Sequence, residues 1–196
     1  MAGLKELRTR IETIKSTEKI TSAMKMVAAA RLRRSQGLIE KCRFYNNNIL
    51  ASANRVLFEL RQEEQKKNVR FVYPELMRGS GKAENYLLLV FTSDRGLCGS
   101  YNSNVAREAS KRIEELLGSG KNVKILCIGK KGRDILKRKY AGMIVDTIEG
   151  IARKGAKYYE AVDLGQRVLD MYAKGEFDVC ETVSSRFRST INLSLI

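Results

Sequence analysis

The residues best placed to do chemistry in this chain are Asp94, Arg95 and Cys98, in the stretch "LLLVFTSDRGLCGSYNSN" from Leu87 to Asn104. An apolar run there meets a glycine-bearing turn and then a helical pattern, the place where parallel α/β proteins often hold a phosphate. A Walker A loop would need GxxxxGK(S/T), and a dinucleotide site would need GxGxxG with an acidic residue ending the next strand. The turn offers only Gly96 and Gly99 with no lysine after them, and the second apolar run ends in "CIGKKGRD", with Gly129 or Lys130 at the ribose position. Lys130, Lys131 and Arg133 could cradle an anion there or form a solvated basic turn. The layout is Rossmann-like without the nucleotide chemistry.

Catalysis is equally poorly provided. The chain has no histidine, which excludes imidazole general acids and bases, Ser-His and Cys-His nucleophiles and imidazole metal ligands. Cys98 could be a reactive thiol, but no base stands near it in sequence. Asp94 and Arg95 therefore read as residues that shape the loop or dock on a partner. The four cysteines, Cys42, Cys98, Cys127 and Cys180, form no CxxC, which predicts reduced thiols rather than a zinc site or disulfide framework.

The elements that carry these residues fall into two periods. From Tyr86 onward short apolar runs at 86–91, 123–128, 143–148 and 177–184 alternate with helical patterns at 104–117 and 158–173, which predicts an α/β layer with a mostly parallel sheet. "STINLSLI" reads as a further edge strand that could run antiparallel. Before this unit, Leu4 to Leu60 reads as one helix, with no proline and only Gly37 inside it. Its apolar positions step by three and four over Leu4, Leu7, Ile11 and Ile14, and again from Leu38 to Leu60, as in a coiled coil. Between them the register slips, so that Ile20, Met24, Val27 and Leu32 carry the apolar positions, a sign that the surroundings change along the length. Ala28 to Ala30 followed by Arg31, Arg33 and Arg34 permits close approach of a neighbour, or forms a solvated helix-favouring face. The expected organisation is a long coiled-coil helix at 1–61, a linker at 62–85 containing Pro74 and the Gly79-Ser80-Gly81 turn, and a Rossmann-like α/β domain at 86–196.

The formal charge is +15, and residues 1–70 hold 16 Lys and Arg against 7 Glu. Such a balance implies an acidic partner: nucleic acid, an anionic membrane surface or an acidic protein. No apolar run reaches about eighteen residues and the N-terminus has no secretory apolar segment, which predicts a soluble product. A nucleic-acid-binding coiled coil is one alternative, opposed by the interleaved Glu6, Glu12, Glu18 and Glu40 and by the lack of a stacking pattern of aromatics.

Two stretches, "STEKITSAMKMVAAARLRRSQ" in the long helix and "TSDRGLCGSYN" after the first strand, resemble the gamma subunit of the rotary (F-type) ATP synthase, and "SSRFRSTI" resembles a strand region of the same family. The resemblance covers essentially the whole chain. It implies a rotor shaft whose N-terminal helix winds with a C-terminal helix inside the ring of alpha and beta subunits, with the α/β domain at its base. Rotation would couple proton flow through the membrane ring to ATP synthesis or hydrolysis at the beta subunits. It implies no catalytic residue, cofactor, metal or bound nucleotide in this chain, and no nucleic acid. Met24, Arg31, Arg33 and Arg34 would lie along the beta subunits, and Asp94, Arg95 and Cys98 would face one. The turn bearing Tyr172, Lys174 and Glu176 would point toward the membrane c-ring and the epsilon subunit. The expected location is peripheral, on the cytoplasmic face of a bacterial inner membrane. Family members continue past the position of Ile196 into the second helix, so the apolar stripe of the first is expected to lack a partner within this chain.

Overall fold

The computed structural model describes residues 3–68, 79–151, 155, 157–187 and 193–195. The chain divides into two units, Met1–Val72 and Tyr73–Ile196.

The first unit is a single helix, α1, Leu4–Lys67. It runs six residues past the Arg61 at which the sequence predicts a break, because "QEEQKK" consists of good helix formers whose polarity imitates a linker. Glu6 in the first turn and Lys66 and Lys67 in the last suit the helix dipole, and Asn68 in the left-handed region (φ 51°) ends it. Thr9, Thr13, Thr17 and Thr21 stand one turn apart, each hydroxyl donating to the carbonyl four residues before it at 2.9–3.1 Å. No residue of α1 is buried.

Because the helix is unbroken, the register slip resolves into one displacement. At 100° per residue, Leu4, Leu7, Ile11 and Ile14 share one face. Ile20, Met24, Val27, Arg31, Leu38, Cys42, Tyr45, Ile49, Val56 and Leu60 share another, on roughly the opposite side of the helix. Every one of these apolar residues but Leu60, which is half-buried, is exposed.

The second unit is built on four parallel strands: β1 Asn85–Phe91, β2 Asn122–Ile128, β3 Ile144–Ile148 and β4 Val179–Val183. Helices α2 Tyr101–Gly118, α3 Lys130–Tyr140 and α4 Tyr158–Ala173 connect them. The strand order is β3-β2-β1-β4, with Leu88 beside Ile125 on one side and Glu181 on the other. The chain thus winds outward from β1 to β3 and then crosses back to the far side of β1. The switch in direction falls between β1 and β4, where open α/β sheets form a crevice at the strand ends.

Successive side chains of β1 point to opposite faces, and both faces are covered. Leu88 and Val90 join Val105, Ala109, Ile113, Ile125, Cys127 and Leu136 in one core. Leu87 and Leu89 join Leu126, Ile128, Met171 and Phe177 in the other. This double burial explains why the strand reads as a continuous apolar run rather than an alternating one. Two polar clamps fix the layers. Arg112 on α2 holds the Glu181 carboxylate of β4 with two hydrogen bonds of 2.7 Å. Asp178, just before β4, accepts from the backbone N–H of Asn85 at 2.9 Å and of Glu84 at 3.1 Å, which aligns the starts of β4 and β1.

The structure departs from the sequence reading at two further places. "GKKGRD" is not a solvated turn: Lys130, Lys131 and Arg133 form the first turn of α3, whose Gly132 disguises a helix that the sequence otherwise favours. Of "STINLSLI", residues 189–192 and 196 lie outside the described residues; Leu193–Leu195 forms β6, which pairs antiparallel with β5 Ser185–Phe187 in a two-stranded ribbon and not with the main sheet.

Candidate partner-contact site

The loop at 92–100 leaves β1 at the switch point and is held from two sides. On the side of α3, Thr92 Oγ1 accepts from the backbone N–H of Gly132 at 2.8 Å, the Ser93 carbonyl accepts from that of Lys131 at 3.1 Å, and Asp94 Oδ1 accepts from that of Lys130 at 3.0 Å. These are the first three N–H groups of the helix, the ones that have no partner inside it. The helix end that would cradle an anion is thus filled by the chain's own carboxylate, hydroxyl and carbonyl. Asp94 Oδ2 reaches on to the N–H of Gly150 after β3, at 2.8 Å. One side chain therefore joins the ends of three strands.

Close approach is built in. A Cβ on Gly129, whose φ is +104°, would lie 2.3 Å from the Thr92 carbonyl oxygen, and one on Gly132 would lie 2.7 Å from Thr92 Oγ1. Glycine at both positions lets the loop press against the start of α3.

On the side of α2, Asn102 is 8% exposed and spends its amide on the same loop. Its Oδ1 accepts from the Ser93 N–H at 2.9 Å, and its Nδ2 lies 2.9 Å from Ser93 Oγ and 3.0 Å from Cys98 Sγ. The Ser93 backbone nitrogen can only donate, which settles which end of the amide is the oxygen. Tyr101, whose hydroxyl donates to the Phe91 carbonyl at 3.3 Å, has its pKa raised by burial.

Between these two anchors the tip projects. Arg95, Gly96, Leu97, Cys98 and Gly99 are exposed, Leu97 at 95% of its surface and with φ at +61°.

The residues singled out from the sequence separate accordingly. Asp94 faces inward and Cys98, although exposed, turns its Sγ toward Asn102, whereas Arg95 faces out. Tyr172 is half-buried and packs on Phe177 with ring centroids 5.6 Å apart, and Glu176 pairs with Lys124 of β2 at 3.1 Å, so within that turn Lys174 is the exposed one of the three. On α1, Met24 and Arg31 are seven residues apart and share a face; Arg33 lies on the other side of the helix and Arg34 to one flank. All four are exposed. Sequence reasoning missed Leu97, Asn102 and Thr92. A leucine set between Gly96 and Gly99 was the available signal for the first; the other two declare themselves only through contacts made on folding. Among the described residues no group of three or more Cys, Asp and Glu is placed to hold a metal, and no helix is long and apolar enough to cross a membrane.

Fold and site together define a class: a long exposed helix followed in the chain by a doubly wound parallel domain, whose phosphate-type helix end is closed internally. Residues 3–195 match the protein family described as ATP synthase. The chain is 42% identical over 192 residues to the ATP synthase gamma chain of Sinorhizobium medicae, covering 98% of this chain and 64% of that one. It is 44% identical to that of Maricaulis maris, covering 98% and 63%. Its fold is similar to a chain of the central stalk and c-ring of the Tetrahymena thermophila mitochondrial ATP synthase, with a TM-score of 0.68 and 26% identity, over 90% of this chain and 70% of that one. The chain belongs to the ATP synthase gamma-chain family. It spans a little under two thirds of the length of the curated relatives it matches. These matches lend no support to the nucleic-acid alternative.

Proposed function

We propose that this chain acts as the rotor of an ATP synthase, a non-catalytic central-stalk subunit that couples rotation of the membrane c-ring to ATP synthesis or hydrolysis at neighbouring beta subunits. The observation that carries this reading is α1: 64 residues of helix with no buried side chain and two apolar faces on roughly opposite sides. A helix in water gains nothing from such stripes, whereas each leucine or isoleucine covered by a partner contributes about 1.5–3 kcal/mol. In this reading residues 1–61 and their continuation to Lys67 are the shaft, the remainder of 62–85 the connection, and 86–196 the base.

The alpha and beta subunits surround the shaft, with Met24 and Arg31 directed along one contact face and Arg33 and Arg34 meeting carboxylates to either side. The loop bearing Arg95 and Cys98 meets a beta subunit, and Lys174 lies toward the c-ring or the epsilon subunit. Nucleotides are held by the neighbours and not by this chain. The complex places it peripherally on the cytoplasmic face of a bacterial inner membrane.

Size-exclusion chromatography of the chain with purified alpha and beta subunits tests the proposal, in parallel with a version extended by the relatives' C-terminal segment. Co-elution of either form is expected. Absence of association by both would sink it.

A further inference from the structure

Leu97 carries two features that do nothing to stabilise an isolated domain. Its side chain is 95% exposed, more than that of any other large apolar residue described, and its backbone lies in the left-handed region at φ +61°. A leucine is disfavoured there, where glycine or asparagine would sit without strain. The chain nevertheless holds this pose from both flanks. Asp94 and Thr92 bind the loop to the start of α3, and the buried Asn102 binds Ser93 and Cys98 on either side of the tip. Gly99, with φ +59°, completes the turn. The loop's polar groups are directed inward to these anchors, and its one large apolar group is directed outward beside exposed Arg95.

We propose that Leu97 is the docking residue of this loop, entering an apolar pocket with an acidic border on the alpha–beta head, and that Asp94 and Asn102 position it instead of touching the partner themselves. The inference rests on the rotor reading and assigns the contact within it. The apolar tip supplies the affinity, and the Arg95 guanidinium supplies the match to carboxylates at the rim. Presenting the leucine from a rigid turn lowers the entropy lost on docking.

Affinity for the alpha–beta head, measured for the full chain and for the version extended by the relatives' C-terminal segment, tests it with three substitutions. Leu97→Gly and Leu97→Asn relieve the backbone, so both are expected to melt at or above the parent temperature, yet to bind roughly tenfold or more weakly, as expected for removing a buried leucine. Leu97→Met keeps the apolar volume and is expected to bind within about threefold of the parent. Opposite signs for stability and affinity separate docking from a structural role. Parent-like binding by Leu97→Gly and Leu97→Asn overturns this inference and leaves the rotor reading standing; failure of both parent forms to bind overturns the reading and the inference with it.

Discussion

Asp94 Oδ1 accepts the backbone N–H of Lys130 at 3.0 Å across 36 positions of sequence, so that the loop after the first strand caps the helix after the second. Asp94→Ala is expected to expose the amides of both Lys130 and Gly150 to exchange and to cost about 1–2 kcal/mol, the usual effect of losing a helix cap. Asp94→Asn, which keeps one acceptor oxygen, falls between the two. Native-state hydrogen exchange of those two amides is the measurement. Unchanged protection in Asp94→Ala would mean that the loop is held by Thr92 and Asn102 alone.

Gly129 and Gly132 both face Thr92 but differ in what they meet. Gly129→Ala drives a Cβ against a backbone carbonyl in a left-handed conformation, and a loss of about 3 kcal/mol or more is expected. Gly132→Ala meets only the Thr92 side chain. Thr92→Ala should therefore recover a larger share of the Gly132→Ala loss than of the Gly129→Ala loss, in which the backbone carbonyl at 2.3 Å remains. Urea unfolding of the single and double variants reads the difference.

Acidification should weaken the α/β unit through its paired carboxylates. The hydrogen-bonded Arg112 guanidinium holds the Glu181 carboxyl below its ordinary pKa, against an opposing effect of burial, and the Asn85 N–H does the same for Asp178. With folded values below the unfolded ones, the unfolded chain binds more protons. The stabilisation is thus fully present above about pH 4.5 and is lost as pH falls through the depressed folded values. For the partly exposed Glu181–Arg112 pair this amounts to about 1 kcal/mol at neutral pH. Glu181→Gln should lower stability at pH 7 and converge on the parent in acid, once the Glu181 carboxyl is protonated, as followed by denaturant titration at each pH. A constant difference across that range would rule out the pair as its source.

Cys127 lies at 0% exposure in the core between β2 and the helices, and burial pushes its thiol pKa up to about 11. Maleimide at pH 7 should modify exposed Cys42 and Cys98 within minutes and leave Cys127 intact until denaturant is added. Peptide mapping of the labelled chain decides it. Modification of Cys127 in native buffer would show that the core opens.

Much of the architecture was legible before folding because it rests on periodicity. An apolar step of three and four with no proline specifies α1, and apolar runs separated by amphipathic helices specify a parallel sheet. The limits of α1 were less legible, since helix formers without apolar residues read as linker. The helix α3 was hidden because Gly132 looks like a turn until its packing against Thr92 is seen.

The sequence by itself determined that the loop after β1 lacks the lysine and acidic partner of a nucleotide site, and that two motifs tie the chain to its family. Those are matters of residue type and order. Only the tertiary structure decided which way each side chain of that loop faces. Asp94 and Arg95 are adjacent in sequence, yet the first turns in to the N–H groups of Lys130 at a helix start and of Gly150 after a strand, and the second turns out to water. Hydrogen-bond partners 36 and 56 residues away made that choice, and no local pattern records them.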